Sequence, residues 1–227
     1  MQLYLGNCYA ESMTQPQSNV TFTTPMLKAM ANPLRRQIFD ALAAMRTGRA
    51  SDIGELLGLA PNKVSFHLRE LAKAEMIEEA PELARDKRDR VWRPAATGYT
   101  TGQPADRSED GSATAMNAYL GQVIHDEQRR LEATLAHAQQ WYDGGEIRED
   151  LAQLSTSNLM LTDDERQELQ RRLDQVIPAF RKDQENGKVA TAQPISERKL
   201  WHYSGLLSAD ELLNGSHSAG QSTQKPK

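Results

Sequence analysis

Residues 50–77, ASDIGELLGLAPNKVSFHLRELAKAEMI, hold two short amphipathic helices separated by a glycine-marked turn. In the first, Ile53 and Leu57 lie four apart with Gly54 between them, small enough for a crossing helix to approach, and Gly58 supplies the turn. Leu59 continues the core. In the second, Val64, Leu68 and Leu71 fall at i, i+4 and i+7 and form a stripe to be buried. Its other faces carry Asn62, Lys63, Ser65, Phe66, Arg69, Glu70 and Lys73. Hydrogen-bonding groups, an aromatic and cations near the start of a short helix suit the major groove of a duplex, where base edges offer donors, acceptors and the thymine methyl. The pattern is that of a helix-turn-helix with 61–74 as the reading helix, and Pro61 and His67 complete its candidate contact set. A helical hairpin with a solvated outer face is the plainer reading of the same residues.

The next stretch, IEEAPELARDKRDRVWRP (77–94), has two extended arms, Ile77 to about Leu83 and Arg90 to about Arg93, joined by a charged turn. It predicts a β-wing. Strand alternation leaves open whether Val91 or Trp92 faces inward. Arg85, Lys87, Arg88 and Arg90, at or beside the turn, are placed to reach phosphates or the minor groove next to the reading helix. Upstream, Asn32-Pro33 is a strong helix start, and Leu34, Ile38, Leu42 and Met45 form the apolar stripe of the helix that follows, ending near Thr47-Gly48. Residues 25–30 predict one more short helix before it.

With these elements in order, the chain resembles the ArsR-type winged-helix transcriptional regulators of bacteria. The likeness is carried by Lys28 to Arg35, Leu57-Gly58-Leu59, Val64 to Leu71 and the hairpin from Ile77 to Trp92, and covers residues 25–94. The resemblance implies a homodimer on a roughly palindromic operator, with the 61–70 helix reading bases and the wing gripping backbone. It also implies a repressor. Three positions depart from the family pattern. Ala60 stands where a serine or threonine cap is common, a loss worth about 1 kcal/mol that Pro61 partly offsets. Phe66 replaces an arginine, and Glu75 replaces the glycine that usually ends the reading helix.

Metal sensing of the thiophilic kind is excluded in the first helix of the motif, because Ser51-Asp52-Ile53-Gly54-Glu55 holds no cysteine. The single cysteine, Cys8, cannot build a tetrahedral site by itself or a disulfide framework within the chain. His125 and His137 of a later helix are twelve residues apart, and neither has a histidine or carboxylate three or four positions on. No cofactor and no metal are expected; a cross-dimer site on these histidines stays as an alternative.

Net charge over the 227 residues is −4, but residues 26–94 hold 13 Lys/Arg against 10 Asp/Glu and are net +3, leaving −7 elsewhere. The positive balance falls on the proposed reading head. Residues 1–12, MQLYLGNCYAES, lack a basic n-region and a long apolar run, and no stretch is apolar enough to span a bilayer. A cytoplasmic protein is expected, with Met13 an alternative start. No phosphate-binding glycine loop, nucleophile elbow or metalloprotease helix appears, so an enzyme is not expected.

Residues 97–112 read as a linker. From about Ala113 to Tyr142 a long helix is predicted, with Met116, Leu120, Val123, Leu131, Leu135, Ala138 and Trp141 or Tyr142 along one side, too apolar to stay alone in water. Its expected partners are the same helix of a second subunit and the flank of the winged domain. Thr162-Asp163-Asp164-Glu165 is a capping box opening another helix, with Leu169, Leu173, Val176, Ile177 and Phe180 on its apolar side. Residues 157–161 and 199–206 are candidate strands that could pair. Trp141, Trp201 and Tyr203 either enclose a small-molecule pocket or enlarge a dimer core.

The expected fold class is therefore mainly α with a small β-wing. It comprises an N-terminal tail (1–24), a winged helix-turn-helix domain (25–96), the linker (97–112), a helical dimerisation region (113–182), a segment with a candidate strand (183–213) and a disordered tail (214–227). The expected partners are operator DNA, a second copy of the chain and an unknown small-molecule effector, with no membrane. The expected function is a sequence-specific regulator of transcription. A protein-binding scaffold that keeps the fold, and a metal-responsive sensor using the long-helix histidines, remain as alternatives.

Overall fold

A computed structural model describes residues 19–86, 89–102, 111–145, 151–187 and 198–209. The order is β1 (Asn19–Thr21), α1 (Thr24–Met30), α2 (Pro33–Met45), α3 (Ala50–Leu57), α4 (Pro61–Lys73), β2 (Ile77–Glu79), β3 (Trp92–Pro94), β4 (Gly98–Thr100), α5 (Ser112–Tyr142) and α6 (Asp163–Glu185). The architecture is mainly helical, with the β2–β3 wing after the helix-turn-helix and a helical C-terminal region.

Local chemistry starts and stops these helices. Asn32 Oδ1 accepts the Arg35 N–H at 2.9 Å, and Pro33 occupies the first turn, where its missing donor costs nothing. Arg35 then reaches back to α1, donating from Nε to the Ala29 carbonyl and from Nη2 to that of Lys28, so one side chain satisfies two acceptors at the end of the preceding helix. Leu27, Ile38, Leu42, Ile53, Val64, Leu68, Leu71 and Met76 are fully buried and form the centre of the core.

The wing is shorter than the sequence suggests. β2 and β3 pair antiparallel with Ile77 opposite Pro94 and Glu79 opposite Trp92, and Pro81–Leu83 form a 3-10 turn in place of a continued arm. Pro81 lacks a ladder donor and ends the first arm. Gly48 exchanges two hydrogen bonds with Trp92, each 3.0 Å, which adds a bridge from the α2–α3 connection on the other side of β3. Val91 and Trp92 are both buried, so neither is the solvent-facing member of an alternating pair.

A second, parallel pair has no counterpart in the sequence reading. β1 runs beside β4 with Val20 opposite Tyr99, in stretches assigned to tail and linker. The reason is aromatic packing. Phe22 stacks on Tyr99 with centroids 5.3 Å apart and meets Tyr119 of α5 at the same distance, while Phe39 meets Tyr99 edge-on at 5.7 Å. Tyr99 also donates its hydroxyl to the Met76 carbonyl at 2.9 Å. This cluster seats the start of α5 on the domain.

The apolar stripe of α5 divides. Ala115 and Tyr119 are buried, and Met116, Leu120 and Val123 lean on the same core; Leu131, Leu135 and Trp141 are about half exposed. On α6 no residue is buried, and Leu173, Val176 and Phe180 lie open. Residues 157–161 and 199–206 form no strand, a correction to the expected pair. Met160 and Leu206 are almost wholly exposed, and without a buried face a two-stranded pairing has little to stabilise it. Trp141, Trp201 and Tyr203 are all exposed. The segment 198–209 touches α5 through polar groups, with His202 Nε2 3.0 Å from Glu127 Oε1 and Ser204 donating to Glu127 Oε2 at 2.8 Å.

Candidate nucleic-acid interface

The turn between α3 and α4 is built by two glycines with different tasks. Gly58 adopts φ +67°, the left-handed conformation that ends α3, and Leu59 N–H donates to the Gly54 carbonyl at 2.8 Å. Gly54 makes room for that return, since a Cβ there would stand 2.6 Å from the Leu59 carbonyl oxygen. The nearest neighbour is thus the turn's own backbone, with the backbone of Pro61, the first residue of α4, at 3.7 Å.

α4 starts at Pro61 without a side-chain cap, as Ala60 implies. Asn62 Oδ1 accepts the Lys63 N–H at 2.8 Å and takes over part of that duty. Val64, Leu68 and Leu71 are buried, which turns Pro61, Asn62, Lys63, Phe66 and Arg69 outward. Phe66 is 51% exposed, so its ring is open to solvent among the polar groups of α4. Ser65 is half-buried. His67 is half-buried too, edge-on to Phe66, and its Nδ1 is sealed from solvent without a hydrogen-bond partner. Burial, with the cations of Arg35 and Lys63, pushes its pKa below the usual histidine value.

Between α4 and the wing lies an open cleft of about 430 Å³ lined by Arg49, Ala50, Ser51, Ser65, Arg69, Asp89, Arg90 and Trp92. Three of its linings, Ser65, Arg69 and Arg90, are expected site residues; Arg49 and Ser51 are not. They enter from the start of α3, forty residues before the wing, and nothing in local periodicity links the two. Arg85 and Arg90 are exposed at the wing, with Arg90 3.4 Å from Glu79. Lys87 and Arg88 lie outside the described residues.

The charge of the reading head is more local than its total suggests. Arg93 is engaged by Glu78 at 2.7 Å and by Glu82, and the Glu78 hydrogen bond raises its pKa. Lys73 pairs with Glu70 at 2.7 Å. Lys63 and Arg69 are exposed cations of α4, while Arg49 and Arg90, which line the cleft, face Asp89 and Glu79.

Residues 30–80 match the family model of a helix-turn-helix domain. The match begins at the end of α1, takes in α2, α3 and α4 whole and closes on the first wing strand. The chain carries a helix-turn-helix domain. No curated protein matches the chain. Among the described residues no helix is long and apolar enough to cross a membrane, and no three His, Cys, Asp or Glu side chains gather at metal-binding distance.

Proposed function

We propose that this protein is a sequence-specific, DNA-binding regulator of transcription of the ArsR-like kind, acting in the cytoplasm as a homodimeric repressor on a palindromic operator. The observation that carries the reading is the outward side of α4, where Asn62, Lys63, Phe66 and Arg69 surround a helix start that opens onto a cationic cleft. A helix of this size fits a major groove, and such side chains pair with base edges or the thymine methyl. Arg85 and Arg90 flank it from the wing, where exposed cations supply affinity for backbone phosphates without sequence information.

Dimerisation is supported by the distal half of α5, where Leu131, Leu135 and Trp141 remain half exposed in the single chain. Helices of this length with an open apolar stripe are stabilised by a partner. A two-fold pair would set two α4 helices about 34 Å apart, one duplex turn. The test is selection of bound fragments from a random 30-base-pair duplex pool, followed by footprinting and sedimentation. Two protected half-sites about one helical turn apart are expected, and joint replacement Lys63→Ala and Arg69→Ala should weaken binding at least about 100-fold. A monomer that retains no duplex would end this reading.

A further inference from the structure

The cleft beside α4 contains one carboxylate among its cations. Asp89, at the base of the wing, receives the Arg49 Nε–H on both oxygens at 2.8 and 2.9 Å, and Oδ2 also accepts the Arg85 N–H at 3.0 Å. Arg49 directly precedes α3, and its own N–H is held by Asp52 Oδ2 at 3.0 Å. A single carboxylate thus joins the start of the helix-turn-helix to the wing loop. The Gly48–Trp92 exchange lies alongside.

On a surface meant for a polyanion this placement is costly, because a carboxylate repels phosphate and withdraws one guanidinium from it. Partly exposed ion pairs contribute little to stability, so fold support is a weak reason for it. Geometry is a stronger one. A charge-assisted contact between planar groups restricts direction as well as distance, and the same carboxylate holds the Arg85 N–H in a cleft lined by Arg69 of α4 and Arg90 of the wing.

We propose that Asp89 is a positioning residue for DNA recognition: by clamping Arg49 it holds the wing at one angle to α4, so that helix and wing engage a duplex together only where the sequence suits both. This rests on the DNA-binding reading above. The clamp gives up some affinity for DNA in general in return for discrimination.

The experiment compares wild type, Asp89→Asn, Asp89→Glu and Arg49→Ala on a duplex selected from the random pool and on an unselected duplex, across a salt series. Asp89→Asn keeps the shape and removes the charge. It should bind the selected duplex about 10-fold more weakly, bind the unselected duplex as well as wild type or better, and steepen the salt dependence by about one phosphate contact as Arg49 is released. Asp89→Glu, which retains the ion pair, should recover most of the discrimination. Arg49→Ala should lose the discrimination without the steeper salt dependence. If Asp89→Asn tightens binding to both duplexes equally, the carboxylate is only a repulsive charge and the proposal falls. A loss on both duplexes together with a lowered melting temperature makes Asp89 a fold support, which overturns it as well. If wild type retains neither duplex, the failure lies with the DNA-binding reading itself.

Discussion

Glu75 adopts φ +57° just beyond α4, in the left-handed region where a side chain crowds its own backbone. The departure noted at this position in the sequence, a glutamate where a glycine is usual, is therefore a strained residue in the structure. The chain accepts it because Met76 N–H must reach the Leu71 carbonyl, 3.0 Å away, to turn the backbone into β2. Glu75→Gly should relieve the strain at some cost in unfolded-state entropy, a net gain of about 0.5–1 kcal/mol read as a higher urea midpoint with an unchanged slope. An unchanged or lower midpoint would show that the glutamate is not strained there. Gly58 and Gly48 were visible as turn and end signals, whereas the reason for Gly54 was not. Its neighbour is an oxygen five residues on, which only the completed turn brings close.

At the scale of elements, helices were legible because their determinants are local. Asn32-Pro33 at α2 and Thr162 to Glu165 at α6 are both formed as the residues imply, with Thr162 Oγ1 accepting the Glu165 N–H and Glu165 Oε2 accepting the Thr162 N–H at 2.8 Å. The capping contacts hold the Glu165 carboxyl below its usual pKa. Since α6 buries no side chain, its order depends on such contacts more than on packing. Thr162→Ala should weaken its first turn by about 1 kcal/mol, seen as faster amide exchange over residues 163–168 with the exchange of α2 and α4 unaltered. Uniform acceleration through the chain would contradict this independence. Strands were less legible. Three-residue strands have too few positions to show a period, and the β1–β4 pair depends on Phe22, Tyr99 and Tyr119 meeting from distant parts of the chain.

For the whole molecule, the join between the winged domain and α5 is polar at its far end. Arg36 is buried and ion-paired with Asp126 of α5, and burial pushes the nearby Asp40 carboxyl from 3.8 up to about 6 despite Arg36, His202 and Arg130. With its folded pKa raised, Asp40 takes up a proton more readily in the native state than in the unfolded one. Stability from this group is present below about pH 4, falls as pH rises to about 6, and is level above that. Asp40→Asn should therefore raise stability at pH 7.5 by at most about 3 kcal/mol, with the difference from wild type closing as pH falls toward 4 in urea titrations. A difference that does not vary with pH would refute the linkage. What the sequence determined by itself was the helix-turn-helix: its stripes, caps and turn residues lie within a few positions of one another, so local sterics and periodicity suffice. Tertiary structure alone decided that Arg49, Ser51 and Asp89 share a cleft with Arg69, and that only the near end of α5 is covered. Those facts follow from contacts between residues far apart in the chain, whose meeting is set by packing of the assembled core and leaves no periodic trace.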